Sequence, residues 1–184
     1  MKRVFVGLKI SLSPEFQQAF DQLKEKLKNE QIRWESTDKL HVTLCFIGDV
    51  SSDQLERVCE ILQQVSEGQN DFSFQLKNLS YFKKRGVPAV VFFDVTKGDA
   101  LAGLASQIKN KLDEAGINTN PRFNPHVTLC RLKKLKNKPA FYEVMDQVKE
   151  TPVYEVVVRK ISLFESILKP TGSEYKILQE FCFS

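Results

Sequence analysis

The chain contains two histidines, and each heads the same five letters: HVTLC at 41–45 and HVTLC again at 126–130. Matching four residues after the only other histidine by chance is on the order of one in 10⁵ from ordinary residue usage, so the repeat carries information. Its residue types suit proton transfer. An imidazole titrates near neutrality and can act as acid or base, and a threonine hydroxyl can donate to an anionic oxygen. One His-x-Thr in a strand is ordinarily structural. Two can divide the work, one imidazole removing a proton from water as the other protonates a leaving oxygen. In-line cleavage of a phosphodiester needs such donors on both sides of phosphorus, with the two hydroxyls holding the non-bridging oxygens. Packing alone would more readily place apolar residues at these polar positions.

The motifs need strands to present them. Alternate side chains of a strand share a face, so strict alternation places His41, Thr43 and Cys45 on one side and Val42, Leu44 and Phe46 on the other. The second copy sets His126, Thr128 and Cys130 against Val127 and Leu129. Cys45 and Cys130 then lie on the polar face beyond the threonines, as small hydrophobic residues whose thiols the chemistry does not need.

The elements around the motifs repeat. Residues 3–10, rich in Val, Phe and Ile, predict a strand. Ser13 and Pro14 open a helix over 14–29. An extended piece at 32–36 leads into the first motif strand at 40–48, and Ser52 caps a second helix running to Val65. Strand 72–82 is broken by Gly86 and Pro88. Strand 89–95 precedes a helix marked by Leu101, Leu104, Ile108 and Leu112 that stops at Gly116, and the second motif strand follows at 126–132. A helix at 139–149, a long strand at 153–166 and a final strand at 173–183, hairpinned at Gly172, complete the chain. Strand, helix, linker and motif strand thus occur twice, which predicts two similar lobes packed into one domain over 1–184, with the motifs facing each other.

Composition narrows the function. At 184 residues, 42% hydrophobic and 27% charged, the chain can bury roughly 70% of its unfolded surface without disulfide or metal. No apolar run approaches the roughly 20 residues of a membrane span, so a cytoplasmic protein is expected. Four cysteines without a CxxC pair argue against a zinc ribbon or a disulfide framework. Two distant histidines lack a carboxylate set at ligand spacing, so no metal is expected. There is no Gly-rich phosphate loop and no Lys-x-Asp-Gly nucleophile, which disfavours a nucleotide-dependent ligase. The net charge of +4 suits an anionic substrate. The basic runs KKR at 83–85 and RLKKLKNK at 131–138 read as exposed charged loops.

With HVT at 41–43 and 126–128, the chain resembles the two-histidine (2H) phosphoesterases, in the RNA 2',3'-cyclic phosphodiesterase or 2'-5' RNA ligase-like branch. The flanks RVFVGLKIS, RWESTDKLHVTLCFIGDV, PRFNPHVTLCRL and ISLFESILKPTGSEYKIL extend the resemblance over nearly the whole chain. It implies an α+β fold of two pseudo-symmetric lobes, each an antiparallel sheet with outer helices, around a central cleft. It also implies metal-independent hydrolysis of a 2',3'-cyclic phosphate, on an RNA end or nucleotide, to a 2'-phosphate, with reversible 2'-5' ligation as a side activity. Carried over, His41 is the general acid at the departing 3'-oxygen and His126 the base on water. Thr43 and Thr128 hold the phosphate, and Arg131 adds a charged contact, which requires a strand end or bulge because strict alternation faces it the wrong way. Phe5 and Trp34 are candidates for stacking on a terminal base, with the core as their other placement. No cofactor is implied, and the protein is expected to be a monomer whose partners are RNA ends or nucleotides bearing the cyclic phosphate. A module that binds phosphate or nucleotide without turnover is the second reading, and a phosphodiesterase on another cyclic or 2'-5' linked nucleotide a third. Intact His and Thr in both motifs favour an enzyme, since a binder would tolerate Arg or Lys in place of either histidine.

Overall fold

In the computed structural model, which describes residues 1–120, 122–170 and 172–184, the amino-terminal segment forms β1 (Lys2–Lys9). Helix α1 (Pro14–Lys26) starts as its sequence predicts: the Ser13 hydroxyl accepts from the Phe16 N–H, and Pro14 takes the first turn. It ends short of Asn29, at a cap on Leu27. Strand β2 (Gln31–Trp34) and a short 3-10 turn (Thr37–Lys39) lead to β3 (His41–Val50). Helix α2 (Ser52–Glu67) is capped by Ser51, not Ser52, because Ser51 has the matching residue three positions on. Its hydroxyl accepts from the Gln54 N–H, and the Gln54 side chain accepts from the Ser51 N–H, a reciprocal cap that satisfies two otherwise unpaired donors.

Strand β4 (Phe72–Lys84) turns through Arg85 and Gly86, with φ of 51° and 77°, into β5 (Val87–Thr96). Two left-handed residues in a row match the right-handed twist of a tight hairpin. Pro88 therefore does not separate the strands; it sits at the start of β5, opposite Lys83. Then come α3 (Asp99–Glu114), β6 (His126–Lys134) and α4 (Lys138–Val148), the last capped by the Asn137 side chain. The long strand expected over 153–166 is two, β7 (Tyr154–Val158) and β8 (Lys160–Lys169), followed by β9 (Gly172–Cys182).

The strands form one sheet in the order β7-β4-β5-β6-β3-β1-β8-β9, with β2 also on β6, and every described pairing is antiparallel. The two motif strands are neighbours at its centre, where Val42 lies opposite Val127. The expected α+β pair of lobes is present, and their sheets run into one another through this seam. Only Arg159 separates β7 from β8, although the two stand six strand spacings apart in the order. Laid flat, six spacings cover about 29 Å, whereas two Cα steps reach at most ~7.6 Å. The sheet therefore curls until its ends approach.

The helices lock the lobes together. Helix α1 follows β1 but packs under the other lobe, with Phe16 against Phe93 and Tyr154 (ring centroids 4.7 and 5.5 Å). Helix α3 follows β5 but packs with α2 under β3. Phe16, Phe20, Phe74, Phe93, Phe141 and Phe181 are fully buried beneath the sheet, leaving its other face to the motifs.

Candidate active site

The registers of the two motif strands break at the same letter. Along β1 and β3, Lys9 lies opposite His41 and Gly7 opposite Thr43, but Val6 meets Cys45, so Leu44 is an extra residue. Along β5 and β6, Asp94 lies opposite His126 and Phe92 opposite Thr128, but Val91 meets Cys130, so Leu129 is extra. An inserted residue resets the alternation of a strand. Cys45 and Cys130 consequently turn into the core, at 4% and 0% exposure, instead of continuing the polar face. The sixth residues, Phe46 and Arg131, line the cleft with the histidines. The bulge that Arg131 needed is there, and Phe46, expected to point away, is corrected by the same device.

The cleft has a volume of about 500 Å³. His41, Thr43 and Phe46 enter it from β3, and His126, Thr128 and Arg131 from β6. Tyr175 comes from β9, Arg3 from β1, and Arg122 and Asn124 from the loop before β6. Each imidazole is fixed in the same way: Nδ1 lies 2.7 Å from the carbonyl oxygen two residues earlier, that of Lys39 for His41 and of Asn124 for His126. A carbonyl only accepts, so Nδ1 donates and the neutral ring keeps Nε2 as its free acceptor.

Aromatic rings hold both histidines. His41 sits on Phe5 (5.0 Å), meets Tyr175 edge-on (4.8 Å) and nears Phe164 (5.9 Å). His126 stands edge-on to Phe82 (4.9 Å) and Phe92 (5.2 Å). Burial pushes both imidazoles below their ordinary pKa. For His41 the Lys39 carbonyl opposes this, while the positive charges of His126 and Arg131 reinforce it. For His126 the Asn124 carbonyl opposes, Arg131 reinforces, and the Asp94 carboxylate pulls back up. The lobes differ here, since the cross-strand neighbour of His41 is Lys9. Glu35, only 14% exposed, reaches the Arg131 guanidinium at 4.0 Å across the β2–β6 pairing.

Phe5 and Trp34 part company. Phe5 lies in the cleft floor at 2% exposure, stacked on Phe164 (4.9 Å, 7° between planes) with His41 on it, so its ring supports the imidazole. Trp34 is not part of the cleft wall; it packs against Phe20 of α1 (5.8 Å). Sequence reasoning did not single out Tyr175, Arg122, or Arg3, whose guanidinium lies 4.9 Å from the Phe46 ring centre. Alternation hid Phe46, and only the β8–β9 pairing brings Tyr175 beside His41. Among the described residues no three His, Cys, Asp or Glu side chains gather as metal ligands, and no helix is long and apolar enough to cross a membrane.

The family model of LigT-like phosphoesterases matches the chain twice, over 10–92 and 94–175, so that each match contains one HVT. The chain belongs to this family. The LigT-like chain is similar to a Thermotoga maritima protein named RNA 2',3'-cyclic phosphodiesterase, at 31% identity over 98% of this chain and 95% of the relative. It is also similar to an Aeropyrum pernix protein of the same name, at 32% over 78% and 81% of the two chains. Among solved structures, TT0787 of Thermus thermophilus shares the LigT-like fold with a TM-score of 0.77 and 23% identity, covering 98% of this chain and 97% of that one. Escherichia coli LigT in apo form shares it at 0.71 and 18%, covering 100% and 98%. The resemblance to two-histidine phosphoesterases is thereby borne out, and the double match puts the repeat on firmer ground than one pentapeptide.

Proposed function

We propose that the cleft hydrolyses the 2',3'-cyclic phosphate of an RNA end or nucleotide to a 2'-phosphate, with His41 and His126 as the acid–base pair. The observation that carries this reading is the matched pair of His-x-Thr units in one cleft, each imidazole held by a 2.7 Å bond from Nδ1 so that Nε2 is free. The names borne by relatives at 31–32% identity support the substrate class.

In the proposed step, His126 Nε2 takes a proton from water as the water oxygen attacks phosphorus. The P–O3' bond breaks, and protonated His41 gives its Nε2 proton to O3'. Thr43 and Thr128 donate to the non-bridging oxygens, and Arg131 offsets the charge that builds on them. Each proton-transfer partner contributes about 10²–10⁴ in rate. With a ribose 5'-hydroxyl in place of water the same roles form a 2'-5' linkage; run backwards, the 3'-hydroxyl attacks that linkage, the 5'-oxygen leaves, and the two histidines exchange roles.

The test is opening of a 2',3'-cyclic phosphate on a short RNA in EDTA, with the product assigned as 2'- or 3'-phosphate. Turnover to the 2'-phosphate is expected, with losses of at least about 10² in kcat for His41→Ala and for His126→Ala. Full activity in either variant overturns the two-histidine mechanism. Affinity without product in the native protein identifies a binding module instead.

A further inference from the structure

A cyclic phosphate terminates its RNA, so every other nucleotide lies on its 5' side and must leave the cleft in one direction. The two lobes offer different exits. In the lobe of β4, β5, β6 and β2, one rung crosses all four strands: Phe82 is opposite Val90, Val90 opposite Arg131, and Arg131 opposite Arg33. Directly paired residues share a face, and Arg131 lines the cleft, so this rung continues the cleft floor outward. Phe82 stacks on Phe92 (4.1 Å, 27° between planes) while touching His126 edge-on.

Beyond the rung the two basic runs of the sequence come together. Because β5 and β6 are antiparallel, the β4–β5 turn with Lys84 and Arg85 sits at the same end of the lobe as the last residues of β6, Lys133 and Lys134. These four cations are exposed, and none is in an ion pair among the described residues. Lys83, by contrast, lies near the Tyr81 and Tyr142 rings (5.9 Å each). The other lobe pairs several of its cations: Lys2 with Glu165, Lys160 with Glu180 and Lys169 with Glu174.

We propose that single-stranded RNA on the 5' side of the cyclic phosphate runs over the Phe82–Val90–Arg131–Arg33 rung onto Lys84, Arg85, Lys133 and Lys134, which makes a polynucleotide end, not a mononucleotide, the preferred substrate. This rests on the cyclic phosphate reading above. The cations neutralise backbone phosphates, and the Phe82 ring and Arg33 guanidinium offer planes on which unpaired bases stack. From Arg131 to Lys134 the strand advances about 10 Å at ~3.3 Å per residue, so the track begins next to the scissile group.

The experiment compares the full chain with Lys84→Glu/Arg85→Glu, with Lys133→Glu/Lys134→Glu, and with Lys169→Glu/Lys176→Glu on the opposite lobe as control. One readout is the affinity for a single-stranded hexanucleotide ending in 2'-phosphate. The other is kcat/KM on a cyclic-phosphate hexanucleotide and on cyclic CMP. Each of the first two pairs is expected to weaken hexanucleotide binding and its kcat/KM by about tenfold or more at low salt, and to flatten the salt dependence by about 0.7 in log–log slope for each backbone phosphate no longer neutralised. Turnover of cyclic CMP stays unchanged, and the control pair has no such effect. Unchanged hexanucleotide affinity in both pairs, or an equal loss in the control, overturns the track. If the native protein opens neither substrate, the cyclic phosphate reading falls, while the affinity series still decides the track.

Discussion

Phe46 and Arg131 occupy the same place in the two halves of the cleft, each three residues past its threonine and two past a bulged leucine. Phe46 faces Phe5 across the β1–β3 pairing as Arg131 faces Val90 across β5–β6. The backbone of the site is thus duplicated and its chemistry is not: one half ends in a ring, the other in a guanidinium that can grip two oxygens of an anion. Arg131→Met is expected to lower kcat by about 10²–10³, as for loss of one transition-state donor. Arg131→Lys should recover only part, since an ammonium lacks the planar fork. Steady-state kinetics showing a pure KM effect in both would remove Arg131 from the chemistry.

The pH profile of kcat/KM should be bell-shaped with both limbs on the acid side of 6.5. Burial depresses both imidazoles, and the charge of Arg131 depresses them further, so the base stays neutral to lower pH and the acid loses its proton earlier. Removing the guanidinium relieves part of this depression, and in Arg131→Met the whole profile moves to higher pH.

Asp94 separates the histidines. Its carboxylate raises His126 and stands beside it in the β5–β6 register, where the partner of His41 is Lys9. Asp94→Asn should therefore shift one limb downward and leave the other in place. Movement of the acid limb assigns His126 as the base. Movement of the alkaline limb exchanges the two roles.

The motif thiols should be inert. Burial pushes Cys45 up to about 11 and Cys130 up to about 12, and both lie in the core, whereas Cys182 is exposed. At about pH 8, iodoacetamide should label Cys182 on the folded protein and spare Cys45 and Cys130, because only exposed thiolate reacts. Peptide mapping by mass spectrometry reads this directly.

Gly7 is required beside Thr43. A Cβ there would sit 2.7 Å from the Val42 carbonyl oxygen, and that carbonyl belongs to the strand that carries the first motif. Gly7→Ala should cost about 1–3 kcal/mol of stability and lower kcat along with Tm, measured by calorimetry and turnover.

Much of this was legible in advance for identifiable reasons. Caps such as Ser13 with Pro14, and apolar spacings such as Leu101, Leu104, Ile108 and Leu112, are local signals, and they marked the helices to within a few residues. The two HVT units were legible because a repeat does not depend on geometry. What escaped was set between distant strands. A bulge is a property of a pairing, so nothing in HVTLC distinguishes Leu44 and Leu129 from ordinary strand residues, and strict alternation puts Cys45, Cys130 and Phe46 on the wrong face. The split of 153–166 at Arg159 escaped for the same reason: both pieces are good strands, and only their partners, β4 for one and β1 with β9 for the other, separate them.

The single residue between β7 and β8 also governs the order in which the molecule can be built. Strands β4 to β7 can pair as soon as they are synthesised, but β1, made before them, must wait for β8 before its second edge is covered. Closing so long a loop is slow, and meanwhile that edge stays open to other chains. Folding should therefore show a partly formed species in which amide hydrogens of β4 and β5 are protected before those of β1, and β8 acts as the clasp that ends the exposure of β1 to aggregation.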